Sequence, residues 1–298
     1  MAIFRLEAKV FSRAGRGRSV VAAAAYRNGG KLKDDSYGKT FDYGRRAKGI
    51  VQTAILAPAN APAWAQDSSQ LWNRVEKSEK RVDAQLAREF VLAVPRELSA
   101  EDQFKAAVGW TEKELVSKGM VAEVTLHQPK NGKNPHVHIL TTMRKLEGDR
   151  FSAKKSREWN DKTQLIHWRK SWCEAENAAL EKAGHPERVD HRSLKDRGID
   201  RIPEPKVGVA ATAMKRRGVE KDPRAFQRLR AVKLWNQTRP IAQALAAEHF
   251  GLGGSLWNKS VSLAIHIRDF AAKSVRGIWQ SLLHPNSQQP KSGPDLSR

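Results

Sequence analysis

The sequence holds one cysteine, Cys173, among 298 residues. A single thiol makes no intrachain disulfide, so nothing points to an oxidising compartment. It lies beside Trp168, Trp172 and Ala175 on a helical pattern, the place of a small packing residue. No apolar run reaches the ~18 residues that a membrane-spanning helix needs. The opening MAIFRLEAKVFSRAGRGRS lacks the apolar core of a secretory signal. A bacterial-type cytoplasm is therefore the expected location. There is no Gly-x-x-x-x-Gly-Lys-Ser/Thr loop for a nucleotide, and no internal repeat. Acidic residues are in deficit: 32 Asp+Glu stand against 54 Lys+Arg, a formal charge of +22. Such a field attracts polyanions, nucleic acid first among them, with an anionic membrane surface as the blander alternative.

Against these absences, 40% hydrophobic residues and nine tryptophans give an ordinary globular profile. Residues 2–11 alternate as a strand. The Ala-rich stretch Val20 to Arg27 reads as a helix, with Ser19 as N-cap and Asn28-Gly29-Gly30 as its stop. Residues 31–56 read as a basic loop and hairpin ending in a strand from Ile50 to Leu56, and residues 67–80 as a helix. Residues 86–94 form an apolar strand, and Ser99 caps a helix reaching to about residue 118. Strands Met120 to His127 and His136 to Met143 flank a turn containing Asn131-Gly132, a hairpin signature. A Trp-rich helix follows over 159–183, then a polar crossing over 184–208. The expected division is a folded domain over 1–205, a basic helical region over 206–283 (helices near 223–248 and 256–283), and a disordered tail over 284–298. The last third holds about 16 Lys+Arg against about 5 Asp+Glu.

Three of the nine histidines fall in the one hairpin. His136 and His138 are two apart on a strand, so both point to one face, while Val137 points to the other. Antiparallel pairing brings His127 beside them. Three imidazoles converging on a point leave open coordination positions, as a catalytic metal site requires. A half-buried structural pair is the plainer explanation of His-x-His alone; the third histidine across a tight turn favours the metal.

Tyrosine is scarce as well: Tyr26, Tyr37 and Tyr43. Tyr26 ends the Ala-rich helix, whose small residues allow close packing on a sheet. A phenol attacks a phosphodiester only with help, from a metal or from nearby cations. On the residues alone, a nucleophile and a core aromatic capping the helix are equal readings. Tyr37 and Tyr43 suit packing or DNA contact.

Taken together, the N-terminal strand, SVVAAAAYRNG, LAREFVLAVPREL, GMVAEVTLHQPKNGKNPHVHIL, REWN with WRKSWCEAENAALEKAG, and RVDHRSLKDRGI resemble the MobA/MobL family of plasmid mobilisation relaxases over residues 1–205. The resemblance implies a histidine–hydrophobic–histidine endonuclease fold of the α+β class: an antiparallel central sheet with helices packed on it, mostly on one face. It implies Tyr26 as nucleophile, His127, His136 and His138 as ligands of a divalent ion such as Mg²⁺ or Mn²⁺, and Glu89 as a site carboxylate that orients a histidine or moves a proton. The turn of this chain lacks the acidic residue common in the family, which removes a carboxylate from the turn and leaves the ligands in place. The implied reaction is strand-specific nicking and rejoining of single-stranded or melted DNA at a transfer origin through a 5′-phosphotyrosine. Implied partners include accessory mobilisation proteins and a secretion coupling protein. Arg13, Arg16, Arg18, Arg27, Lys31, Lys33, Arg45 and Arg46 are the candidate backbone contacts. The basic C-terminal helices suit added DNA affinity, an accessory partner, a secretion signal or a membrane surface. Competing readings are a non-enzymatic DNA binder with a structural metal, and a replication initiator or transposase of the same fold.

Overall fold

Five extended segments organise the chain. In the computed structural model, which describes residues 3–14, 19–129, 132, 134–219 and 224–249, the chain divides into two compact units, Met1–His191 and Arg192–Arg298. The first contains β1 (Leu6–Ser12), α1 (Val20–Asn28), β2 (Lys31–Asp34), β3 (Lys39–Asp42), β4 (Ile50–Leu56), α2 (Ser68–Ser78), β5 (Gln85–Ala93), α3 (Ala100–Glu114), β6 (Ala122–His127), β7 (His136–Thr142), β8 (Leu146–Glu147), β9 (Arg150–Phe151) and α4 (Lys162–Lys182). The main sheet runs β1-β5-β7-β6-β4, and every neighbouring pair is antiparallel. Two small ribbons, β2–β3 and β8–β9, stand apart from it.

The expected α+β sheet-and-helix architecture is present, but the helices are not gathered on one face. Phe90, Leu92, Val124, Leu126, Val137 and Ile139 project to one side of the sheet, where Phe104 and Trp110 of α3 and Trp168 and Trp172 of α4 meet them. Leu86, Ala87 and Leu140 project to the other and meet Val21, Ala24 and Ala25 of α1 and Leu71, Trp72 and Val75 of α2. The cause is in the strands: β5 and β7 are apolar at alternate and at intervening positions, so both faces need cover. The side under α1 and α2 is where the pattern breaks into Glu89, Glu123, Thr125 and the three histidines.

Local signals fix α1 as the sequence predicts. The hydroxyl of Ser19 accepts from the Ala22 N–H at 3.0 Å, and Gly29 ends the helix in the left-handed conformation at φ 66°. A β-carbon on Gly29 would lie 2.7 Å from Ile50 Cδ1 and 3.1 Å from Ala47 Cα, so this glycine also lets the following segment pack on the helix end. The ribbon β8–β9 was not foreseen; strands of two residues carry no periodicity to read. In the second unit, α5 (Val209–Arg217) and α6 (Arg224–His249) are helical, with Pro240 inside α6. The helix expected over 256–283 and the tail over 284–298 lie outside the described residues. Among the described residues no helix is long and apolar enough to cross a membrane.

One core position is at odds with its surroundings. Glu176 of α4 is fully buried, and neither carboxylate oxygen has a hydrogen-bond partner among the described residues. Burial holds its carboxyl protonated well above the ordinary carboxylate range. A raised folded value means stability that is complete below the unfolded value of about 4.3 and lost as pH rises through the folded one. Glu176→Gln should therefore gain stability relative to the parent as pH rises from 5 to 8, since it never ionises. Urea melts at pH 5 and pH 8 test this. A gain that does not widen with pH would count against the buried, protonated carboxyl.

Candidate metal centre and tyrosine

The histidine arrangement follows from strand register. His127 and His136 are direct partners across β6 and β7, and His138 pairs with Thr125 two positions along. The three side chains share one sheet face, and one ligand atom from each lies within 4.8 Å of the others. The trio could hold a metal ion.

Each imidazole is oriented by a bond from its other nitrogen. His127 Nε2 lies 2.7 Å from the Arg27 carbonyl oxygen, and His136 Nδ1 lies 2.9 Å from the Asn134 carbonyl oxygen. His138 Nδ1 lies 2.8 Å from Glu89 Oε1. A carbonyl or carboxylate oxygen only accepts, so each of these nitrogens carries a proton, and in the neutral ring the remaining nitrogen is the one that offers a lone pair. That is the division of labour a metal-binding histidine needs. Burial, together with the neighbouring His138, pushes His127 down to about 4. Burial likewise lowers His136. These two rings are neutral donors at pH 7.

Glu89 stands on β5 beside β7. Burial alone would raise its carboxyl, but His138 and Arg27 hold it down at about 2. Arg27 approaches as a fork, Nε to Oε1 at 2.9 Å and Nη2 to Oε2 at 2.7 Å. A carboxylate so placed is an acceptor and an orienting group, and a poor base near neutrality.

Tyr26 ends α1, is 40% exposed and packs edge-on against Tyr43, with ring centroids 5.4 Å apart. Its hydroxyl oxygen accepts from Arg46 Nη1 at 2.6 Å, and the same guanidinium lies 4.1 Å from the ring centroid. The next two residues tie the helix end down. Arg27 reaches His127 and Glu89 as above, and Asn28 Nδ2 donates to Glu123 Oε1 at 2.7 Å. Glu123 also accepts from Ser68 at 3.0 Å and from the Trp72 indole at 2.5 Å. Burial raises its carboxyl, opposed by these three donors.

The eight candidate DNA contacts fall into three groups. Lys31, Lys33, Arg45 and Arg46 are exposed. Arg13 and Arg27 are turned inward: Arg13 binds the Glu76 carboxylate at 2.7 Å and the Glu79 and Arg81 carbonyls, and Arg27 is held by Glu89. Arg16 and Arg18 lie outside the described residues. Glu123 and Asn28 were missed from sequence. The available signal was the spacing of Glu123, four residues before His127 on the same strand face.

The neutral state of His127 has a consequence for the metal-free protein. With the folded value near 4 and the unfolded value near 6.5, this histidine favours folding above pH 6.5, and the contribution is lost as pH falls toward 4. Thermal melts of chelator-treated protein should show the midpoint falling across that window, less steeply in His127→Asn. Identical slopes would contradict the buried neutral ring.

Comparison with known proteins adds a second line. The model of the MobA/MobL family matches residues 18–217. The chain is 37% identical to the conjugal transfer protein TraA of Agrobacterium fabrum over 247 residues, which is 73% of this chain and 22% of that protein. It thus spans about a fifth of that relative's length. The mobilization protein MobL of Acidithiobacillus ferridurans is 32% identical over 295 residues, covering 86% of this chain and 77% of its own. A solved structure described as "Molecular Basis of Vancomycin Resistance Transfer in Staphylococcus aureus" superposes with a TM-score of 0.60 at 32% identity, over 64% of this chain and all of that one.

Proposed function

Since the chain belongs to the MobA/MobL family, we propose that it nicks and rejoins one DNA strand at a plasmid transfer origin, with Tyr26 as nucleophile and His127, His136 and His138 as ligands of a divalent ion, Mg²⁺ or Mn²⁺. The observation that carries this reading is the pairing of three oriented, lone-pair-bearing imidazoles with an exposed phenol one residue from the Arg27 carbonyl that holds His127. The substrate is single-stranded or melted DNA in the cytoplasm of the plasmid's host. Accessory mobilisation proteins and a secretion coupling protein are the further partners proposed.

The reaction is a transesterification. The phenol gives up its proton to solvent water, and its oxygen bonds to phosphorus. The bond from phosphorus to the 3′-oxygen breaks, and that oxygen takes a proton and leaves as a hydroxyl. The 5′ side remains on Tyr26, and attack by a 3′-hydroxyl reverses the sequence. A bound divalent ion supplies charge to the phosphate oxygens. Glu89 keeps His138 in the tautomer that offers Nε2, and Arg27 keeps Glu89 ionised. Lys31, Lys33 and Arg45 would follow the DNA backbone through their exposed charge.

A denaturing gel tests the reading. Single-stranded oligonucleotides tiled across the transfer origin of the encoding plasmid are incubated with protein and Mn²⁺. One should give an adduct that survives SDS, is absent with Tyr26→Phe and is abolished by chelator. Tight binding of the origin strand without any adduct would sink the enzyme and leave a DNA-binding protein. Glu89→Gln should weaken Mn²⁺ binding about 10- to 100-fold by calorimetry, because the orienting charge is gone; unchanged affinity would remove Glu89 from the centre.

A further inference from the structure

The segment that follows β3 contributes a side chain whose position suits chemistry better than DNA tracking. Residues Gly44–Gly49 form a short 3₁₀ turn fastened at both ends. Tyr43 N–H donates to the Gly30 carbonyl at 3.1 Å, and Gln128 N–H donates to the Gly49 carbonyl at 2.8 Å. The first bond fixes the turn to the end of the tyrosine helix, the second to the residue after His127. Within the turn, Arg46 N–H donates to the Tyr43 carbonyl at 2.8 Å. The absence of a side chain on Gly29 lets Ala47 and Ile50 close against the helix end. The Arg46 guanidinium is thereby set over the Tyr26 ring, 4.1 Å from its centroid, with Nη1 2.6 Å from the phenolic oxygen. Its backbone is anchored while its side chain stays exposed.

Resting on the reading of Tyr26 as nucleophile, we propose that Arg46 is a catalytic residue that stabilises negative charge on the phenolic oxygen of Tyr26, as it attacks in nicking and as it departs in rejoining. A guanidinium has donors and no acceptor, so it cannot take the phenol proton; its contribution is electrostatic. It acts on the atom whose charge changes along the reaction, and so lowers the barrier in both directions. A backbone contact would serve binding and leave the chemical step alone.

The test uses full-length protein loaded with Mn²⁺ and the origin oligonucleotide that forms the adduct. Arg46→Ala should form adduct about 10- to 100-fold more slowly at saturating DNA, the range of a lost charge-assisted hydrogen bond. Its thermal midpoint and its affinity for the strand, measured in a Tyr26→Phe background, should match those of the unmodified site. Replacing Tyr26 by 3,5-difluorotyrosine separates the proposal from a phosphate contact. Fluorine stabilises the phenolate by itself, so the cost of Arg46→Ala should shrink at least severalfold in the fluorinated protein. Adduct formation within about twofold of the parent in Arg46→Ala would overturn the proposal. An equal loss with tyrosine and difluorotyrosine would overturn it too, and assign Arg46 to the phosphate. If Tyr26→Phe still forms adduct, the assignment of the nucleophile fails first, which is a separate result from the failure of Arg46.

Discussion

Arg27 is gripped at both of its polar ends, and the geometry of the site depends on that. Its carbonyl accepts from His127, while its guanidinium forks onto Glu89, which in turn accepts from His138. Two of the three histidines are therefore oriented through the residue that follows Tyr26. Turning the end of α1 would break a carbonyl bond and a two-pronged ion pair together, leaving a half-buried carboxylate without its cation. Charge-assisted bonds of this kind are the strong ones, and stranding one partner costs more than the bond itself contributes. The helix end that carries Tyr26 and the strands that carry the imidazoles are thus joined through Arg27.

The rest of α1 reinforces that constraint from both directions. At its start, Ser19 donates to the buried Asp34 and the Val20 N–H donates to the Glu76 carboxylate at 2.8 Å. At its end, Asn28 reaches Glu123, the buried carboxyl that also collects Ser68 and Trp72 from α2. Between the two ends, Ala24 and Ala25 are buried with almost no side chain to adjust. The helix has only nine residues, too few to be stable alone. It is defined by these contacts, and precision at Tyr26 follows from packing that leaves little to relax.

What could be read in the sequence was local. Period two put His136 and His138 on one face, a tight hairpin brought His127 to them, and Ser19 and Gly29 marked the limits of α1 because capping acts within a few residues. What could not be read depends on partners far along the chain. Arg13 and Arg46 look alike in sequence, both basic residues in glycine-containing loops. One is turned inward by Glu76 of α2, 63 residues away; the other lies over a tyrosine 20 residues away. The cover on both sheet faces was hidden for the same reason, since apolar strands reveal that they are buried but not which helices bury them. Glu123 carried a signal in its spacing from His127, yet its meaning came only with Asn28 opposite.

The distribution of charge explains how so basic a protein can keep carboxylates at its centre. Glu89 is matched by Arg27 and His138, and Glu123 is surrounded by neutral donors and burial that favours its protonated form. Neither is left as an uncompensated negative charge in a chain of net charge +22. Glu89 and Glu123, each placed inside with its own partners, are thus compatible with a surface that draws in polyanions. Glu89 orients His138, and Glu123 holds the helix end through Asn28.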